Sequence, residues 1–332
     1  MKKSFIIFSF LLLITACVKD TLNITDSGRR ITINGLITSD SCLSVKISRS
    51  ELLNDISVSS YNTLYSIDNA KVLVYMNDNY VDSLSYIFLG SGSPFEGPYI
   101  YKMGNYTSGN MIPIPGNKYE IVVKAPGLPY ATAAVTIPNL VKIERIDTFR
   151  TIVPLQYPDP YITTNVQLTC NVIFTDPGNE INYYMLNIYF VYYTSWGFKN
   201  SIILNFFCDD PIPEEKFARF GTYGHEELQA VAFSDKIISG KKCSFPVTIE
   251  LRDLGFPFYP VPEETDTHKK NVYFRLYSIS EEYYKYLQTL NKYEKNYNNP
   301  LSDPVLVNSN ISGGYGILGG AAVSSDSLVF TY

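Results

Sequence analysis

Cys17 follows Ile14-Thr15-Ala16, one aliphatic residue and two small ones, as a lipobox requires. Small side chains let a signal peptidase close on the bond before the cysteine, and only a thiol accepts diacylglycerol as a thioether. Upstream, Met1-Lys2-Lys3 is basic, and Phe5 to Ile14 is an apolar run broken only by Ser9. That run is too short to cross a bilayer, which takes about 20 residues, yet it fits the apolar part of a signal peptide, about 7–15 residues. The expectation is cleavage before Cys17, with 1–16 a signal peptide and 17–28 a lipidated tether. Several acyl chains on one residue, at about 0.8 kcal/mol per buried methylene, exceed the one-chain limit for reversible membrane binding.

Other chemistry-bearing patterns are thin. Gly314-Tyr315-Gly316-Ile317-Leu318-Gly319 spells G-x-G-x-x-G. A dinucleotide site would need a helix after it and an acid about 20 residues on, and the sequence ends at Tyr332. Positive φ or close backbone approach near the final strand explains these glycines better. His225 and His268 share no motif, and neither H-E-x-x-H nor G-x-S-x-G occurs. Asp209-Asp210 with Glu214-Glu215, and Glu263-Glu264 with Asp266, form acidic stretches that read as solvated loops rather than the six-to-eight-oxygen cage of calcium. No catalytic residue, cofactor or metal is expected, and a hydrolase lacks a visible nucleophile–base pair.

The elements around these residues are short and aromatic. The chain has 28 Tyr, 19 Phe and one Trp, and heavy aromatic content favours strands. A net charge of −5 with 18% charged residues gives no basic surface for nucleic acid. From Ile31 to Ile137 short strands alternate with turns, and Leu43, Val45 and Ile47 point one way with polar residues between. About seven strands in about 110 residues fit an immunoglobulin-like β-sandwich over 29–140. Pro138 and the run Pro154 to Pro160 lead into a second β-rich domain, 141–332, with one helix near 280–297. Ser278 or Ser280 can cap that helix, and Glu281 and Glu282 suit its positive end. Tyr283, Tyr286, Leu290, Tyr293 and Tyr297 recur every three or four residues, predicting an aromatic stripe packed on the sheet. Cys42, Cys170, Cys208 and Cys243 allow two disulfides with three pairings, or buried thiols in strand interiors.

Tyr183 to Trp196 carries Tyr184, Leu186, Ile188, Phe190 and Tyr192 on one strand face. Tyr183, Met185, Asn187, Tyr189, Val191 and Tyr193 lie on the other. Two apolar faces mean burial on both sides, or one core face and one exposed aromatic surface for a sugar ring, small molecule or protein. Tyr189, Tyr193 and Trp196 are the candidate partner or ligand residues.

Several segments in order resemble the Bacteroidota lipoproteins of the domain-of-unknown-function 4249 family. They are Ile33-Asn34-Gly35-Leu36, Val45-Lys46-Ile47-Ser48-Arg49-Ser50, Asp68-Asn69-Ala70-Lys71-Val72 and Gly116-Asn117-Lys118-Tyr119. Phe174-Thr175-Asp176-Pro177, Asn182-Tyr183-Tyr184, the Tyr-rich helix, Pro304-Val305-Leu306-Val307 and Asn310 to Ile317 continue the series. The resemblance spans nearly the whole mature chain. It implies an outer-membrane lipoprotein acting beside a TonB-dependent receptor, and it supplies no catalytic residues. Lys19-Asp20 after the cysteine resembles, in part, the signal that sends such lipoproteins to the cell surface; the fuller pattern has more acids, so a periplasm-facing anchor stays open. The reading is a non-catalytic accessory or ligand-capture partner of a TonB-dependent transporter, against a structural or adhesive envelope protein with no transport role.

Overall fold

A computed structural model describes residues 28–50, 66–90, 103–153, 165–193, 199–208, 210–220, 226–250, 269–296 and 302–331. The chain is mostly β, as expected: an immunoglobulin-like sandwich first, then a β-rich part with one helix. In the first part, β1 (Ile31–Thr38) and β2 (Ser44–Arg49) form one layer with β5 (Met103–Thr107). β3 (Lys71–Met76), β6 (Lys118–Lys124) and β7 (Ala131–Thr136) form the other. Ile31, Ile33, Leu43, Val45, Ile47, Val72, Val74, Ile121 and Val123 meet between them, so the predicted alternation is real.

β4 (Asn79–Gly90) is a strand that the sequence reading did not anticipate: Asn79, Asp82, Ser83 and Ser85 break the alternation of its apolar residues, which run on from Tyr86 to Leu89. It follows β3 through Asn77-Asp78, whose φ values of 50° and 65° make the two-residue turn that matches strand twist. Its first half pairs with β3 and its second with β5, so it carries the chain from one layer to the other.

The second part is also a two-sheet packing, a division that its strand pattern alone does not reveal. β8 (Ile143–Val153), β9 (Asn165–Thr175) and β14 (Lys242–Glu250) make a three-stranded sheet. It faces β10 (Tyr183–Tyr193), β12 (Glu215–Phe220), β13 (Glu226–Ser234) and β15 (Lys269–Ile279), with β11 (Lys199–Ile203) paired to β10. The core between holds Val172, Phe174, Tyr184, Ile188, Phe206, Phe233, Phe245 and Phe274. After helix α1 (Glu281–Asn296) and the short β16 (Ile311–Ser312) comes β17 (Tyr315–Thr331). β17 runs parallel to β1 from Tyr315 to Ala321, then antiparallel to β15 through Thr331. One strand thus serves both cores, with Leu318 and Ala322 in the first.

Ser280 caps α1: its Oγ accepts from Tyr283 N (3.4 Å), and its own backbone N–H donates to Gly320 (2.8 Å). Ser278, the other predicted cap, is buried in β15 instead. The predicted stripe needs a correction of about one residue. Tyr284, Leu287 and Asn291 are the buried positions, Tyr283, Tyr286 and Leu290 are half-buried, and Tyr293 is exposed. The rotation has a cause. Tyr284 donates to Glu214 and Asn291 to Glu215, so two acids of the predicted solvated loop hold the helix down. Burial alone would raise the Glu214 carboxyl, but bonds from Tyr284, Ser234 and Lys236 outweigh it and leave it below its ordinary range. Tyr297 lies outside the described residues.

No disulfide joins the four cysteines: Cys170, Cys208 and Cys243 are buried in the second core, and Cys42 is half-buried beside Gly109. Burial pushes the Cys170 thiol up from 9.0 to about 12 and Cys243 to about 11. A raised folded-state value means stability that is complete below pH 9 and is lost as pH rises towards 11 and 12. In the native protein at pH 8, a thiol-specific aromatic disulfide should therefore label Cys42 and leave the three core cysteines untouched. Guanidinium should expose all four. Native labelling of Cys170 would mean that the second core opens.

Candidate functional site

The strand that sequence reading singled out, β10, sits inside its sheet between β13 and β15. Its even-numbered face, Tyr184, Leu186, Ile188 and Phe190, is wholly buried in the second core. The odd face points away from that core. There α1 covers Tyr183 and Met185, together with Tyr277 and Ile279 of β15 and Ala321 of β17. The site lies beyond the covered end, where the same face continues through Asn187, Tyr189, Tyr273 and Arg275.

Register fixes their order. Met185 stands opposite Tyr277, Asn187 opposite Arg275, and Tyr189 opposite Tyr273. The Arg275 guanidinium lies 5.6 Å from the Tyr189 ring centre and 5.3 Å from that of Tyr277, within cation–π range. It also forms an ion pair with Asp40, just past β1, so the first sandwich contributes to the site. The Tyr189 and Tyr277 hydroxyls are 3.3 Å apart. Burial, then the bond to Tyr189, raises the Tyr277 phenol, and burial pushes Tyr283 up to about 12, so these phenols stay protonated donors near neutral pH. Tyr283 stands beside them because a Cβ on Gly319 would lie 2.4 Å from its ring; only glycine lets the helix sit this close.

Asn187 is the one strained member. It is 7% exposed, its Nδ2 donates to Gln229 O at 3.3 Å, and its Oδ1 meets no donor. A buried acceptor without a donor costs about 1–3 kcal/mol. The face therefore presents half-buried Tyr189, Tyr273 and the Arg275 guanidinium, with the Tyr277 phenol and the Asn187 acceptor buried beneath them. Among the described residues no three His, Cys, Asp or Glu side chains converge on a metal position.

Of the predicted site residues, only Tyr189 can be placed in full. The backbone of Tyr193 ends β10, while Cys17, Trp196, His225, His268, Asp209, Glu263, Glu264 and Asp266 lie outside the described residues. Arg275, Asp40 and Tyr277 were missed, since residues 235 positions apart in sequence (275 − 40) share no local signal. The literal G-x-G-x-x-G is structural, as argued from the sequence: it opens β17, and Gly316 has φ 105° against the Ile33 carbonyl.

The family model described as a domain of unknown function (DUF4249) matches residues 19–327. The chain belongs to the DUF4249 family. No curated protein matches it. Among solved structures, the partial N-terminal region of an enterococcal surface protein is similar at 9% identity, with 88% of this chain and 93% of that one covered and a TM-score of 0.16. The B domain of a biofilm-associated protein gives 7%, 90%, 85% and 0.18 for the same measures. Likeness at that level bears on neither the fold nor the function of this DUF4249 chain.

Proposed function

We propose that this DUF4249 chain is a lipid-anchored, non-catalytic recognition protein of the Bacteroidota outer membrane, serving a TonB-dependent transporter as accessory or ligand-capture partner. The observation that supports it best is the half-buried outer face at Tyr189, Tyr273 and Arg275, which continues past the part of the strand that α1 covers and has the Arg275 guanidinium over the Tyr189 ring. Tyrosine and arginine are residue types that dominate interface energetics. A tether at Cys17 confines the protein to two dimensions, so a weak interface suffices at high effective concentration. A sugar ring or other small molecule stacking on the same tyrosines is the ligand-capture form of this reading.

Crosslinking in native membranes followed by affinity purification tests it. A TonB-dependent receptor is expected to co-purify, and Tyr189→Ala and Trp196→Ala should each weaken the complex at unchanged thermal stability. Recovery of no receptor would replace this reading with a structural or adhesive envelope role. Cys17→Ala tests the anchor separately: the precursor should accumulate uncleaved and take up no palmitate, and labelling equal to wild type would end the lipoprotein reading.

A further inference from the structure

The cations of this acidic chain are not evenly spread. Register brings one group together at the end of the first sandwich where β1 begins. Ile31 stands opposite Arg49, and Lys71 opposite Lys124. Thr32 stands opposite Tyr315, and Gly313 packs against the Tyr130 carbonyl. Arg30, Arg49, Lys71 and Lys124 therefore share a rim with Tyr130, 65% exposed, and Tyr315, 45% exposed. Lys71 and Lys124 are exposed, and Asp68 is the acid among the described residues at this end. The opposite end carries Asp40 and Asp78, with Lys118 bound to Asp78.

The chain enters the sandwich at the cationic end. From Cys17 to Gly28 it reaches at most about 40 Å when fully extended. We propose that this rim rests against the phosphate headgroups of the leaflet that holds the anchor, setting the protein upright with the Asp40 end outward. The inference rests on lipidation at Cys17. Lysine and arginine beside a membrane are drawn to anionic headgroups over about a Debye length, and tyrosine partitions to the membrane–water interface. Without Lys2 and Lys3 the mature chain has 25 basic against 32 acidic residues, a net charge of −7 that would otherwise repel it from that surface, so orientation, rather than attachment, is what the rim supplies. The Tyr189–Arg275 face, which includes Asp40 from the far end of β1, is then held away from the bilayer and open to a partner.

The test uses the mature lipidated protein reconstituted in vesicles of phosphatidylcholine alone or mixed with phosphatidylglycerol, under brief acetylation read by mass spectrometry. Acetylation of Lys71 and Lys124 should slow several-fold in the anionic vesicles relative to the neutral ones. Lys118 should be unchanged, and molar salt should abolish the difference. Incorporated protein whose Lys71 and Lys124 react equally in both vesicles would overturn the rim proposal and leave the anchor standing. Protection in the anionic vesicles that survives salt would overturn the role of headgroup charge. A mature protein that enters neither vesicle would remove the anchor, and the orientation with it.

Discussion

Asp176→Ala should lower unfolding stability by about 3–5 kcal/mol, because three buried donors lose their acceptor at about 1–3 kcal/mol each. Asp176 is 1% exposed and serves three donors. Its Oδ1 accepts from the Tyr184 hydroxyl at 2.5 Å, and its Oδ2 from Gly178 N at 3.0 Å and Gly240 N at 2.8 Å. The carboxylate thus ties the turn after β9 to the turn before β14. Gly178 and Gly240 let the turns approach this closely, since a Cβ on Gly178 would lie 2.4 Å from Gly240 Cα. Alanine would strand the Tyr184 hydroxyl beside Phe174 and Phe233 in the second core. Urea unfolding measures the loss, and Tyr184→Phe in the Asp176→Ala background should recover part of it, because the orphaned donor is gone. A loss under about 1 kcal/mol would show that water replaces the carboxylate.

Gly316→Val should cost about 4 kcal/mol or more, combining backbone strain with overpacking. The φ of 105° excludes a β-branched residue, and a Cβ would lie 2.1 Å from the Ile33 carbonyl and 2.8 Å from Asn34 Oδ1. The Asn34 side chain can swing aside, but the Ile33 carbonyl cannot yield without parting β1 from β17, the pairing that joins the two cores into one sheet. Gly127→Ala is the control: its φ is 73° with open space around it, so only the strain of about 1 kcal/mol is expected. Thermal melts of the two variants decide the matter, and equal shifts would mean that the β1–β17 contact is not what demands glycine.

The sequence by itself determined what short-range physics encodes. Alternation at Leu43, Val45 and Ile47 marked a strand with one buried face, and Ser278 or Ser280 with Glu281 and Glu282 marked the start of the helix, the structure choosing Ser280. The glycines of 314–319 announced positive φ or close backbone approach, and the stretch from Tyr183 to Trp196 announced a strand with two apolar faces, of which Tyr183–Tyr193 is β10. β4 escaped because its apolar residues do not alternate regularly, and β12 because its acids read as a loop; both strands are fixed by pairing with their partners. Only the tertiary structure decided which helix residues are buried, since Glu214 and Glu215 reach α1 from about 70 residues away and turn it towards Tyr284 and Asn291. The candidate site was half legible. Tyr189 showed in the strand pattern, whereas Arg275 and Asp40 meet it only because β17 lies between β1 and β15. A parallel pairing of the last long strand with the first joins residues 283 positions apart, as Thr32 and Tyr315 are, and no local pattern records such a contact.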